Sequence, residues 1–389
     1  MGQTYCVILL IERARAYGRG LLRGIARYAS SHGPWLVRME PEFYRFSRRQ
    51  SRQWMTQSQT HGVIAHLADI HVIEGITRLK IPAVIAGIRE PAANAHVVTT
   101  DDEAIGQMAV DYFLDRGFRR LAYCGLDDMH WSVRRGEAFV HKAAHADCEV
   151  RVYEPPGSRR WRTDEAERPA LADWLSSLPR PTAILACNDD RGKQVLAACK
   201  NAGLEVPDEI AILGVDNDDL VCELEYPQLS SIALDVEAAG YAAAALLDGL
   251  MTGCKSGRTW EQILVCPLYI VERQSTDVLA TEDREVAAGL RFIRENVTAG
   301  IQVGDVADIV ALSRRALQQR FRRALGRSVH DEIKRSRIDH MARMLVNTNR
   351  PIGEIARALQ CTEVKNIARY FRERTGLTPA QYRKKHSGR

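Results

Sequence analysis

Three short runs of acidic and amide residues stand out in this chain: Thr99-Thr100-Asp101-Asp102, Cys187-Asn188-Asp189-Asp190, and Asp216-Asn217-Asp218-Asp219 behind Gly214-Val215. Carboxylates and amides each make several hydrogen bonds, Arg134-Arg135 adds a fork of fixed donors, and Trp131 adds an aromatic face. Paired acceptors, a guanidinium and an aromatic platform are what a ring of hydroxyls with apolar C–H faces requires, so the set points to a sugar. Taken singly, each run is equally what a helix start needs, because Asp and Asn are favoured N-caps and turn residues. Three runs at equivalent places in the chain favour a shared cleft over three separate caps.

Those places are strand ends. Short apolar runs at 5–11, 62–65, 83–86, 121–124, 183–186 and 210–215 alternate with helical stretches at 20–30, 105–114, 138–146 and 191–202. Such alternation predicts parallel sheets covered by helices on both faces, with ligand at the carboxyl ends of the strands. His61, His66 and His71 recur every five residues, which does not put them on one helix face, and they read as surface residues.

A second chemistry lies in the last hundred residues, where one pattern occurs twice. Val303, Val306, Ala307 and Val310 are followed by Ser313, a candidate N-cap, and by a helix with Leu317, Phe321 and Ala324 inward. Arg314, Arg315, Gln318, Gln319 and Arg322 then face outward. After a linking helix at 330–346, Pro351 opens a helix with Ile352, Ile355, Ala356 and Leu359 inward, and a turn at 360–362 leads into a helix at 363–375. There Val364, Ile367, Ala368 and Phe371 point inward and Lys365, Asn366, Arg369, Arg372 and Arg374 outward. One Arg-rich helix alone would be a solvated face, but charge favours DNA. Residues 284–389 hold 23 Lys and Arg against 10 Asp and Glu, whereas the preceding residues hold 31 against 39. A basic module is attached to an acidic one, and phosphate neutralisation would supply its affinity.

Other classes find little support. Nine Cys lie without a CxxC pair or a Cys/His metal spacing, so neither a disulfide framework nor a metal site is expected, and a reducing cytoplasm fits. No run approaches a membrane span, and 6–11 is too short for a signal segment. There is no GxxxxGK[ST], GxSxG or GxGxxG, so no cofactor and no catalytic residue is assigned. Paired Asp clusters could serve a hydrolase, which keeps a sugar-processing enzyme as the rival reading.

Ser313, Leu317, Phe321, Gly326, Ile352, Ile355-Ala356, Phe371, Gly376, Thr378-Pro379 and Tyr382-Arg383 together resemble the DNA-binding domain of the AraC family of transcription activators, over 284–389. The turn of its second unit usually carries Gly where this chain has Gln360, so Gln is expected to adopt glycine's backbone angles at a cost of about 1 kcal/mol. Residues 97–106, 183–188 and 207–216 resemble the ligand-binding domain shared by LacI-type repressors and periplasmic sugar-binding proteins, over about 4–273. Met1 lies almost at the first strand, so the amino-terminal headpiece of LacI-type repressors is expected to be absent. This order of parts is similar to XylR-type, xylose-responsive activators. Ala16-Tyr17, Trp131 with Arg135, Ala170, Asp173-Trp174-Leu175, Gly214 with Asp216-Asn217, and Val271 to Asp277 carry that likeness.

The resemblance implies a two-lobed α/β sensor with parallel sheets and three crossings (1–277), a linker (278–283) and an all-α double helix-turn-helix domain (284–389). It implies that Asp216 and Arg135 bind sugar hydroxyls, that Trp131 stacks on the ring, that Asn188 and Asp189 form a polar cluster beside them, and that Asp101 binds ligand or holds a crossing strand. It further implies double-stranded DNA, a small sugar effector and RNA polymerase as partners, with a homodimer through the sensor lobes and no membrane. Arg15 and Asn188 depart from what xylose leads one to expect, so another sugar or another small molecule stays open.

Overall fold

A computed structural model describes residues 4–39, 60–66, 76, 81–87, 95–155, 164–254, 261–278, 283–360 and 364–386 of the 389-residue chain. His71 and the turn residues 361–363 lie outside them.

The apolar runs become two six-stranded sheets. In the first lobe, β1 (Tyr5–Ile11), β2 (Trp35–Met39), β3 (Gly62–His66), β4 (Ala83–Ala86), β5 (Ala95–Thr100) and β11 (Gln262–Val265) lie in the order β11-β5-β4-β3-β1-β2, all parallel. Helices α1 (Ala16–His32) and α7 (Val236–Met251) cross at close range on one face of the sheet. The approach depends on glycine: a Cβ at Gly24 would collide with the Glu237 carbonyl, and one at Gly240 with the Leu21 carbonyl.

The second lobe has β6 (Arg120–Cys124), β7 (Glu149–Val152), β8 (Thr182–Ala186), β9 (Ile210–Val215), β10 (Ser230–Leu234) and β12 (Pro267–Val271) in the order β12-β10-β9-β8-β6-β7. Only the β10–β12 pair is antiparallel. Every residue of β8 and β9 is buried, as expected of strands covered on both faces. Helices α2 (Asp102–Asp115), α3 (His130–His145), α4 (Asp164–Ser177), α5 (Asp189–Ala202) and α6 (Asp219–Leu224) complete this lobe. The chain passes between lobes after Thr100, after Leu234 and after Val265, which gives the three crossings expected.

Beyond residue 283 every element is helical: α8 (Arg284–Glu295), α9 (Val303–Ile309), α10 (Arg314–Leu325), α11 (Val329–Asn347), α12 (Ile352–Ala358), α13 (Val364–Thr375) and α14 (Pro379–His386). The first and last of these have no counterpart in the duplicated pattern; α8 completes the core around α9 and α10 with Val286, Leu290 and Ile293. Helix α11 belongs to both halves, since Val329 and Ile333 sit in the first core while Ile338, Met341 and Leu345 sit in the second. Ser313 caps α10 by accepting from the Ala316 amide at 3.2 Å. Gln360 takes φ 53°, the left-handed conformation expected where the family pattern has Gly, and Ala311 does the same at φ 51° in the first unit.

Candidate ligand cleft and DNA-reading face

Strand ends of both lobes enclose a cavity of about 280 Å³. Trp131, Arg135, Asn188, Asp189 and Asp216 all line it, as do Thr100 and Asp102 at the first crossing and Tyr17 and His66 on the first lobe.

Each polar run does two jobs. Asp101 accepts from the Ala104 amide at 3.0 Å and caps α2. Its neighbour Asp102 is the residue that lines the cavity, where it takes a hydrogen bond from Thr100 Oγ1 at 2.7 Å. Asp101 is not among the described residues that line the cavity, and its amide donates to the Val265 carbonyl at the end of β11, where the chain crosses between lobes, at 3.0 Å. Asn188 both lines the cleft and caps α5 through the Arg191 amide at 2.9 Å. The Asp189 carboxylate accepts from the Asp218 amide at 2.7 Å and from Ser231 Oγ at 2.5 Å, so it anchors the 216–218 loop. A Cβ on Gly214 would collide with that carboxylate, which accounts for glycine at this strand end.

Arg135 is 2% exposed, and each of its three nitrogens already has a protein partner. Nε donates to Asp102 at 3.2 Å, Nη2 to Thr100 Oγ1 at 3.2 Å, and Nη1 to the Cys187 carbonyl. Arg135 is therefore a structural residue as well as a cleft residue, and removing it would strand the buried Asp102 carboxylate. Trp131 covers the guanidinium, with 5.2 Å between the ring centroid and Cζ.

Asp216 differs from its neighbours. Its carboxylate has no hydrogen-bond partner among the described residues, and burial pushes its pKa up to about 7 against the opposing pull of Arg135. Its φ of 104°, followed by 49° at Asn217, is a conformation side chains rarely adopt, and such strain concentrates at binding sites. Across the rim, Arg15 grips Asp190 at 2.8 Å, while Asp218 accepts from the Ala16 amide at 2.6 Å and pairs with Arg19 at 3.2 Å. These contacts join the lobes.

His66 overturns its surface assignment: it lines the cleft, packed at a tilt against Tyr17 with ring centroids 4.8 Å apart. Its place at the end of a buried parallel strand was the available signal. His61 is structural, its Nδ1 accepting from the Cys6 amide at 2.9 Å.

On the DNA-reading side, Arg314, Arg315, Gln319 and Arg322 are exposed on α10, with Gln318 half-buried. Arg369 and Arg372 are exposed on α13, and Lys365 and Asn366 belong to that helix. Arg374 lies outward, as its spacing predicts, but it is paired. It turns back toward Asp339 at 3.2 Å and Asp115 at 3.6 Å instead of presenting a free charge.

Asp115 ends α2 at the junction with the helical domain. Its carboxylate meets Arg335 at 2.5 Å and its carbonyl accepts from Arg327 at 2.7 Å. Beside it, Arg116 pairs with Glu272 at 2.7 Å, and Asp277 with Arg294 at 2.6 Å.

A family described as periplasmic binding protein-like domain matches residues 110–276, and one described as helix-turn-helix domain matches 306–385. The chain is 29% identical over 385 residues to the xylose operon regulatory protein of Escherichia coli K12, covering 97% of this chain and 96% of that one. The Haemophilus influenzae protein of the same name is 29% identical over 391 residues, covering 98% of each. Among solved structures, a xylose-binding transcription activator, xylR, superposes with a TM-score of 0.62 at 27% identity, covering 99% of both chains. By these names the relatives are regulators, and the solved structure is that of a transcription activator. No described helix is long and apolar enough to cross a membrane.

Proposed function

We propose that this chain, a transcription regulator joining a periplasmic-binding-protein-like sensor to an AraC-type helix-turn-helix domain, binds a small sugar between its lobes and in response activates sugar-utilisation genes. The observation that carries the reading is the unpartnered Asp216 carboxylate, held on strained backbone in a cavity that Trp131, Arg135 and Asn188 also line. A sugar supplies what Asp216 lacks, hydroxyl donors, while Trp131 offers a face to the ring. The names of the relatives make D-xylose the first sugar to test.

Helix α2 is the best-supported route between the two activities. Its first residue, Asp102, is bound to Arg135 in the cleft; its last, Asp115, holds the DNA-reading domain. Fourteen helical residues span about 21 Å, so a shift at one end arrives at the other without any intervening loop. A ligand acts only through its different affinity for the two arrangements. In this reading the protein works in the cytoplasm as a homodimer through its sensor lobes. Arg314, Arg315, Gln318, Gln319 and Arg322 of one unit and Lys365, Asn366, Arg369 and Arg372 of the other enter successive turns of the major groove, and the bound protein recruits RNA polymerase.

Footprinting of the full chain on its own upstream DNA, with and without D-xylose across a salt series, tests the proposal. Two protected major-groove turns, strengthened by a sugar and weakened steeply by salt, are expected. Protection indifferent to every pentose and hexose tried would reject the sugar sensor, and absence of protection would reject the DNA reader.

A further inference from the structure

The unsatisfied hydrogen-bonding groups of the cleft can be told apart from those already engaged. On the second lobe, Asp189 accepts from Asp218 and Ser231, and Arg135 donates to Asp102, Thr100 and Cys187, which leaves the Asp216 carboxylate without a partner among the described residues. On the first lobe, Tyr17 and His66 also line the cavity, neither side chain has a hydrogen bond to another described residue, and His66 Nδ1 is buried without a partner among them. A buried polar atom with no partner is costly, and such groups in a cleft mark where a ligand completes the set. The two rings pack against each other in a tilted arrangement, centroids 4.8 Å apart and planes at 35°.

We propose that Tyr17 and His66 form the specificity-determining wall of the first lobe, hydrogen-bonding two hydroxyls of an uncharged monosaccharide whose other hydroxyls donate to Asp216. The inference rests on the sugar reading above and adds a ligand class to it. Burial keeps the imidazole neutral, with its pKa lowered to about 4, so the wall offers one N–H, one ring lone pair and one phenol and carries no charge. Among the described residues, each arginine that lines the cavity lies within ion-pair distance of a carboxylate. Arg15 is committed to Asp190, Arg135 to Asp102, and Arg134 lies 3.9 Å from the same Asp102. Six carboxylate residues line the cavity against these three arginines. A sugar acid or sugar phosphate would place its anion beside Asp216 with no free guanidinium to meet it, whereas an aldose brings only hydroxyls.

Calorimetric titration of the full chain with D-xylose, D-ribose, D-glucose and D-gluconate, in the unaltered protein and in His66→Phe, Tyr17→Phe and His66→Gln, tests this. Tyr17→Phe removes one hydroxyl and His66→Phe puts a somewhat larger apolar ring in place of the imidazole, so both keep a ring at the contact and neither should lower the melting temperature. At least one aldose should bind and gluconate should bind more weakly than any of them. Each Phe variant should lose about tenfold in affinity, with a changed ranking of aldoses, and His66→Gln should recover part of the loss. If an aldose binds but both Phe variants keep its affinity and ranking, this wall is wrong while the sugar sensor stands. Gluconate binding as tightly as the aldoses overturns the ligand class. If no aldose binds the unaltered chain, the sugar reading itself fails and this inference with it.

Discussion

The Asp115 carboxylate lies 2.5 Å from the Arg335 guanidinium, and through that pair the helix that begins in the ligand cleft ends on the DNA-reading domain. Arg335 is 11% exposed and Asp115 43%, so the pair is partly screened and its contribution to folding is modest. Its position matters more than its strength. Asp115 also faces Arg374 at 3.6 Å, and Arg374 belongs to the second recognition helix.

Asp115→Ala should therefore leave sugar affinity and melting temperature close to those of the unaltered protein while weakening the effect of sugar on DNA binding. Titration calorimetry and gel shifts on the same preparation check this. Loss of sugar affinity, or an unaltered sugar response, would show that coupling runs elsewhere.

Arg135 and Asp102 are both nearly inaccessible, at 2% and 4%. Breaking a buried pair by removing one partner leaves an uncompensated charge and costs about 3–5 kcal/mol. Arg135→Met should thus lower the melting temperature strongly even without ligand. Asp216→Asn, which removes an unpartnered carboxylate, should leave it unchanged or raise it. Equal melting of the two variants would contradict the contrast between them.

What the sequence made legible follows from what each signal measures. Continuous apolar runs and helical spacing are imposed by burial, so the six central strands and the duplicated helical units could be read directly, whereas the outer strands, including the antiparallel β10–β12 pair, are marked less plainly. Polar residues carry two meanings that spacing does not separate. Nothing in Thr100-Asp101-Asp102 says which carboxylate caps the helix and which meets Arg135; the backbone geometry at the helix start decides it. Helical spacing places Arg374 outward but does not show that it is paired, because its partner Asp115 lies 259 positions away in the chain. His66 was missed because its five-residue echo of His61 drew attention from its place at a strand end. The Gln360 backbone was foreseen because only a residue-by-residue comparison with the family pattern exposes a missing glycine.

That residue supplies a further test. Gln360 holds φ 53° one residue beyond the C-cap of α12, where glycine is favoured because it has no Cβ to clash. Gln360→Gly should stabilise the second helix-turn-helix unit by about 1 kcal/mol, less what the unfolded chain gains in freedom. Thermal melting checks the sign. A lower melting temperature would mean that the Gln side chain, whose Cβ would lie 3.3 Å from a Cβ on Gly300, packs to greater benefit than the strain it causes.

The final prediction concerns pH. Asp216 has its pKa raised to about 7 by burial, and a carboxyl that holds its proton more tightly folded than unfolded loses stability as pH rises from about 4 to about 7. His66 acts in the opposite sense. Burial lowers its pKa to about 4, so its contribution is present above the unfolded value near 6.5 and is lost as pH falls toward 4. Between about pH 4 and 6.5 the two slopes offset, and the melting temperature of the unliganded protein should owe little pH dependence to this pair. Asp216→Asn removes one of them, and the variant should then become more stable as pH rises through that window. Binding should behave differently, because hydroxyl donors favour the ionised carboxylate and sugar binding therefore expels a proton. Affinity for D-xylose, or for whichever aldose binds, should rise between pH 6 and about 7 and level off above it. Titrations at pH 6.5 in two buffers of different ionisation enthalpy should report the released proton. Affinity that falls across this range, or proton uptake on binding, would mean that the sugar meets a protonated Asp216 acting as a donor, and the roles assigned to the two walls of the cleft would have to be exchanged.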